Sequence, residues 1–228
     1  MNESMILAAD ELWDNGYAAD IFPELLDAFW LTIRLTLVGM AIALVLGLIV
    51  AVVRYPRIPV LSRLFDFYVL FIRGTPLLVQ IFAVYFILPD YGITLSGFVT
   101  GVLVLGINYS AYTAEVYRAG IEALPKGQWE AATALNLPRG RTWTKIVLPQ
   151  SIAPTIPVLG NYLIQMFKDT ALLYAIGSPE VMTVARQIGQ TNGEFLEPLT
   201  IAGIMYLVIS YISSLGIKRL ERHYALAA

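Results

Sequence analysis

"LTLVGMAIALVLGLIVAVV", Leu35 to Val53, runs for nineteen residues without a charge. A hydrocarbon core about 30 Å thick takes roughly 20 apolar residues in helical form, and backbone groups in lipid must be paired within the segment that carries them. The stretch lacks the period-two alternation of a membrane barrel strand. It predicts a membrane-crossing helix, and with it an all-α membrane protein.

Four further stretches read the same way. Phe67 to Leu88 is interrupted only by Arg73, Tyr91 to Ala114 carries no charge, Ser151 to Thr170 is broken late by Lys168 and Asp169, and Leu199 to Ile217 closes the series. The whole chain of 228 residues is 57% hydrophobic and 14% charged, far more apolar than a soluble domain. Pro23 suits the first turn of the first helix, whose apolar residues begin at Leu25, Leu26 and Phe29, while Pro56 and Pro59 predict its end.

Charge gives the orientation, because Lys and Arg concentrate in cytoplasmic loops. Arg54, Arg57 and Arg63 follow the first stretch; Arg118, Lys126, Arg139, Arg141 and Lys145 follow the third; Lys218, Arg219 and Arg222 follow the fifth. These segments hold eleven of the fifteen basic residues, whereas the first 27 residues carry only acids. Five crossings with the N-terminus outside and the C-terminus in the cytoplasm satisfy every loop. The expected organisation is an extracytoplasmic segment 1–22, spans at about 23–53, 64–88, 92–117, 151–176 and 199–218, a cytoplasmic loop at about 118–150, and a tail 223–228. The loop at 89–96 and the loop at 178–198 face outward. Tyr91 and Tyr224 read as interfacial anchors.

Several chemistries are excluded or unsupported. The chain has no cysteine, and its one histidine, His223, cannot build a metal site alone and reads as a solvated interfacial residue. No Ser-His-Asp set or phosphate loop of the form G-x-x-x-x-G-K-[ST] is present, so ATP chemistry would have to come from another chain. The N-terminus lacks the positive flank of a secretory signal, which predicts that the first span is retained. No internal repeat of the secondary-transporter kind is evident.

The loop at 118–150 is the anomaly, since long loops are usually functional or disordered. "GQWEAATALNL" is rich in helix formers, with Trp129, Ala132, Leu135 and Leu137 at roughly helical spacing. Pro138 and Gly140 stop it, and "RTWTKIVLP" begins a second short element that ends at Pro149. Residues alone leave two readings open, an amphipathic helix lying on anionic lipid and a basic surface that docks a protein.

The same loop resembles the EAA loop of the permease subunits of ATP-binding-cassette importers, through Glu130, Ala131 and Ala132 followed by Ile146, Leu148 and Pro149 in register. It departs in having Asn136 where the family has glycine, and asparagine is the next most tolerant residue for left-handed backbone. "FIRGTPLLVQ" (71–80), "NYSAYTAEVYRAGIEALPKGQWEAA" (108–132), "LPQSIAPTIP" (148–157) and "FKDTALL" (167–173) resemble, in order, the polar-amino-acid uptake permeases for histidine, glutamine, glutamate or arginine. Ala171 replaces the serine usual in the last motif. The likeness runs from about Leu25 to Arg219.

The resemblance implies a type I permease fold in a bacterial cytoplasmic membrane and no catalytic activity in this chain. ATP and Mg would bind a partner ATPase dimer. It further implies a second permease subunit, identical or homologous, and an external solute-binding protein that delivers a polar amino acid; ectoine or hydroxyectoine is the alternative cargo. ATPase coupling would fall to Gln128, Glu130, Ala131, Ala132, Leu135, Asn136, Leu137, Arg139 and Arg141. Polar and charged residues inside spans are costly and point to pathways or to pairing between helices. The candidates along a substrate pathway are Gln80, Asn108, Glu115, Gln165, Lys168, Asp169 and Thr170, with Arg73 and Asp66 as further intramembrane charges.

Overall fold

The computed structural model describes residues 13–55 and 59–225, with side chains as far as Arg222. Expectations for Pro56, His223, Tyr224 and the two chain ends lie outside the described residues. Every element among the described residues is helical.

Helix α1 spans Asn15–Arg54. It starts at Asp14, whose carboxylate accepts from Gly16 N at 2.7 Å and Tyr17 N at 3.1 Å, and so satisfies two of the orphan donors of the first turn. Pro23 therefore lies inside the helix and not at its first position. The cap at Asp14 outweighs the proline, which removes only one donor, the partner of the Ala19 carbonyl.

Helix α2, Pro59–Gly74, and the short α3, Leu77–Phe82, replace the expected single crossing at 64–88. The two halves meet at Gly74-Thr75-Pro76 with a bend of 104°. Proline disfavours helical geometry at the residue before it and supplies no donor of its own, and here it follows Gly74, so the break has a local cause. After α3 the chain widens into a π-helical turn at Ala83–Ile87, just before Leu88-Pro89, and ends in a 3-10 turn at Leu88–Tyr91. The same pattern returns at Trp143–Val147, before Leu148-Pro149. In both places a proline that cannot donate to the preceding turn favours the wider one.

Helix α4 covers Gly97–Glu122 and packs along α1 as the centre of the molecule. A Cβ on Gly47 would stand 2.9 Å from the Ser110 carbonyl, and one on Gly106 would stand 2.9 Å from Ile42. Small residues let the two backbones approach, and Thr113 Oγ1 donates across the contact to the Ala43 carbonyl at 2.8 Å. Leu35, Met40, Ala43, Leu105, Tyr109 and Met166 are buried around this seam.

The 118–150 region forms helix α5, Lys126–Ala134, and helix α6, Arg139–Thr142. Helix α7, Leu148–Ile152, continues directly through Pro149, which sits in its first turn and does not end the element. The stretch expected as the crossing 151–176 is assembled from α7, a 3-10 turn at Ala153–Thr155, helix α8 at Ile156–Asp169 and a 3-10 segment at Thr170–Ile176. Among the described residues three helices are long and apolar enough to cross a bilayer, at Asn15–Arg54, Gly97–Glu122 and Leu196–Arg222, and the bent α2–α3 pair makes a fourth if counted as one span.

The expected outward loop at 178–198 is largely helix α9, Val181–Asn192. Val181, Val184, Ala185 and Ile188 bury one face against Ile21, Leu25 and Ala28 of α1 and against Ile201, Ala202 and Met205 of the last helix, α10 at Leu196–Ala225. Glu180 caps α9 and is fully buried. Its carboxylate accepts from Thr183 N at 2.7 Å, Thr183 Oγ1 at 2.9 Å, Met182 N at 3.0 Å and Tyr206 Oη at 2.6 Å. Apolar side chains of α1, α2 and α10, such as Val45, Leu64, Phe67, Leu207 and Tyr211, are exposed to the surroundings, as a lipid-facing surface requires.

Burial pushes the Glu180 carboxyl above the ordinary carboxylate range, and the four donors pull it only part of the way back. The folded state therefore binds this proton more readily than the unfolded one. Stability contributed here is full below the unfolded value and falls as pH rises through the raised folded value. Glu180→Gln is expected to flatten the decline of the melting temperature with pH just above the ordinary carboxylate range. It should also cost about 1–3 kcal/mol, because an amide nitrogen faces a donor that had an acceptor. Thermal unfolding in detergent across pH 4 to 8 checks both.

Candidate functional site

Two places gather the polar residues. The first is the pair of short helices α5 and α6. Trp129 stacks on Tyr55 with centroids 5.3 Å apart, and Trp143 meets both rings edge-on at 5.3 and 5.5 Å. Ala132 is buried, while Leu137 is half-buried. The expected apolar face is thus divided. Trp129 and Ala132 turn inward, and Leu135, at 71% exposure, is left outside with Glu130, Ala131, Arg139 and Arg141. Gln128 is exposed and accepts from Gln150 Nε2 at 3.3 Å.

The helix ends in a Schellman turn. Leu137 N donates to the Ala132 carbonyl at 3.0 Å and Asn136 N to the Thr133 carbonyl at 2.9 Å. Asn136 stands at φ 53°, the one described non-glycine residue with positive φ. Asparagine thus takes the left-handed position for which the resemblance leads us to expect glycine, and the turn forms.

The second place is a cavity of about 450 Å³ at the break between α2 and α3. Its wall combines the turn Arg73–Leu77 with Asn108, Tyr109 and Tyr112 of α4 and Tyr162, Gln165 and Asp169 of α8. Asp169 Oδ2 accepts from Tyr109 Oη at 2.6 Å and its Oδ1 from Gln165 Nε2 at 3.0 Å. The Arg73 guanidinium lies over the Tyr112 ring, 5.2 Å from its centroid. No carboxylate lies within ion-pair distance of Arg73 among the described residues. One free cation, one carboxylate, two amides and three phenols therefore share a single enclosure.

Of the expected pathway residues, Asn108, Gln165 and Asp169 meet here. Gln80 sits behind the wall, bonded to Asn108 and to the broken end of α2. Lys168 is exposed and Thr170 is buried with its hydroxyl on the Phe167 carbonyl at 2.7 Å, so neither lines the cavity. Glu115 belongs to an ion network: Arg54 bridges Asp66 of α2 and Glu115 of α4, and Arg118 joins Glu115 at 2.8 Å and Glu122 at 2.8 Å. A neighbouring cavity of about 410 Å³ lies between that network and the first, and Arg73, Gly74 and Tyr112 line both. The three tyrosines line the candidate site, and sequence reasoning passes over them. Their only signal is the i, i+3 spacing of Tyr109 and Tyr112, which a packed helix face shares.

Residues 43–225 match the model of the family described as binding-protein-dependent transport system inner membrane component. The chain is 42% identical over 207 residues to a protein of Sinorhizobium fredii named as a probable amino-acid ABC transporter permease, covering 89% of this chain and 90% of that one. It is 37% identical over 201 residues to the arginine transport system permease protein ArtQ of Bacillus subtilis, covering 88% and 92%. Among solved structures, one titled as an amino acid ABC transporter with histidines superposes with a TM-score of 0.85 at 32% identity, over 92% of this chain and 99% of that one. An inward-facing methionine ABC transporter shares the fold, with a TM-score of 0.79 at 19% identity over 90% and 98%.

The left-handed residue at the end of α5 is open to a direct check. Asn136→Gly is expected to leave stability within a few tenths of a kcal/mol or raise it, whereas Asn136→Val costs about 1–2 kcal/mol of local stability. Hydrogen exchange at the Asn136 and Leu137 amides reads the difference, with faster exchange only in the valine variant.

Proposed function

The chain belongs to the binding-protein-dependent transport system inner membrane component family, and from that membership we propose that it is the membrane-spanning subunit of an ATP-driven importer of a polar amino acid. The observation that carries the substrate class is the cavity at the helix break. It offers Arg73 to a carboxylate and Asp169 to an ammonium group, so its fixed charges balance those of a zwitterion. Its volume falls within the usual range of small-molecule sites. The likeness to named amino-acid permeases supports the same reading.

In the proposed cycle an external binding protein releases the amino acid into this cavity. The second cavity, which shares Arg73, Gly74 and Tyr112 with the first, continues the route toward the ion network at the cytoplasmic ends of α1, α2 and α4. Exposed Leu135, Glu130, Ala131, Arg139 and Arg141 dock into a partner ATPase, which holds ATP and Mg, and Gln128, Ala132, Asn136 and Leu137 shape the docking helix. A second permease chain completes the passage in the bacterial cytoplasmic membrane.

We place five crossings with the N-terminus outside, adding the α8 segment to the bent pair and the three long helices. The 14 residues of Ile156–Asp169 and seven of Thr170–Ile176 supply about 35 Å of rise, enough for a hydrocarbon core of about 30 Å.

Reconstitution with ATPase and binding protein tests the function. ATP-dependent uptake is expected, and Arg73→Gln should lower it at least about tenfold, the loss of one charge-assisted contact. Ala131→Trp should abolish uptake while leaving amino-acid binding to the purified assembly intact. Uptake by the chain alone without ATP would sink the proposal.

A further inference from the structure

Gln80 lies outside the cavity wall, yet its hydrogen bonds dictate what the wall presents. Its Nε2 donates to the Ile72 carbonyl at 2.8 Å, to Thr75 Oγ1 at 2.7 Å and to the Thr75 carbonyl at 3.2 Å. Thr75 Oγ1 spends its own proton on the Phe71 carbonyl at 2.9 Å, so toward Gln80 it only accepts. Three acceptors thus converge on one end of the Gln80 amide. Reversing the amide would set Oε1 against all three, so the network fixes the orientation. Oε1 then faces Asn108, and Asn108 Nδ2 donates to it at 3.0 Å.

The consequence reaches the cavity. With Nδ2 turned to Gln80, to which it gives one of its two N–H groups, Asn108 Oδ1 turns the other way, on a side chain that lines the cavity and is 5% exposed. It has no protein donor among the described residues and is not among the sealed, unpartnered atoms. Gln165 Nε2 likewise turns to Asp169 and gives it one N–H. Asn108 and Asp169 therefore offer acceptors, and the fixed positive charge of the enclosure is Arg73. An ammonium group has donors and no acceptor, and a carboxylate has the reverse.

We infer that Gln80 is a positioning residue that turns the Asn108 carbonyl oxygen into the cavity, so that an amino acid binds with its ammonium at Asn108 and Asp169 and its carboxylate at Arg73. This orientation rests on the reading of the cavity as an amino-acid site. The clamp on the broken helix end and the polarity of the site are one hydrogen-bond network.

The test uses the purified permease–ATPase complex with two readouts. The first is melting temperature at pH 8. Asn108→Asp replaces a donor toward Gln80 with an acceptor and is expected to lower it by about 5 °C. A melting temperature equal to or above wild type overturns the orientation. The second is calorimetric binding of L-glutamine, of glutaramic acid, which lacks the ammonium, and of L-glutaminamide, which lacks the carboxylate. Wild type should prefer glutamine to either analogue by about tenfold. Gln80→Met should weaken glutamine about tenfold and leave glutaramic acid unchanged, and Arg73→Gln should erase the preference over glutaminamide instead. Equal weakening of both ligands by Gln80→Met overturns the positioning role. Failure of wild type to bind either L-glutamine or L-arginine overturns the amino-acid reading and the ligand orientation with it, while the Asn108→Asp melting result still decides the amide network.

Discussion

Helices α1 and α4 approach so closely at Gly47 that a methyl group there would stand 3.0 Å from the Ala114 backbone nitrogen. In lipid there is no hydrophobic drive to bring two apolar helices together, so close backbone packing and a shared hydrogen bond must do it. The bond from Thr113 to the Ala43 carbonyl meets that need within the seam. The other elements are set by this pair. Arg54, near the end of α1, ties α2 to α4, and Tyr109 of α4 holds Asp169 at the end of α8. The cavity wall drawn from α4 and α8 stands on a helix that α1 holds closely from Gly101 to Ala114.

The break between α2 and α3 confronts the opposite problem. Bending a helix inside a membrane releases carbonyls that water cannot reach, and each costs free energy unless a side chain takes its place. Gln80 and Thr75 do so, with Gln80 Nε2 bonded to two freed carbonyls and Thr75 Oγ1 to the Phe71 carbonyl. Irregular backbone is tolerated where it lines a cavity, and here the turn Gly74–Leu77 is a wall of one. The polar residues that repair the break and those that face the cavity are therefore neighbours for one physical reason.

Much of this is legible in the sequence. Hydropathy alone separates the all-helical membrane class, and the polar loop at 118–150 stands out because it interrupts an apolar chain. Hydropathy also counts 64–88 as one crossing, since Gly74-Thr75-Pro76 is too brief to lower a window average. The proline was the available signal, and a bend of 104° is its measure. Helix α9 is hidden for another reason. Glu180 ahead of Val181, Val184, Ala185 and Ile188 carries both a cap and a helical spacing, but the segment is short and flanked by polar residues, which reads as a loop. Tyr109, Tyr112 and Tyr162 are illegible in principle, because an aromatic residue in a helix looks the same whether it meets lipid, core or cavity. Lys168 shows the converse, a charge in an apolar run that the fold leaves exposed.

The aromatic cluster of Tyr55, Trp129 and Trp143 joins the protruding loop to the very end of α1. At 1.5 Å per residue, the 40 residues of α1 make a rod about 60 Å long. Its far end packs on α9 and bonds to Glu197 of α10 through Asp14. Such a rod connects the rings to α9 and α10 through a single element. A tilt of about 5° imposed at the rings sweeps the opposite tip through about 5 Å, by the length of the helix alone. Gain of this kind is mechanical, and it is set by how long the first helix is.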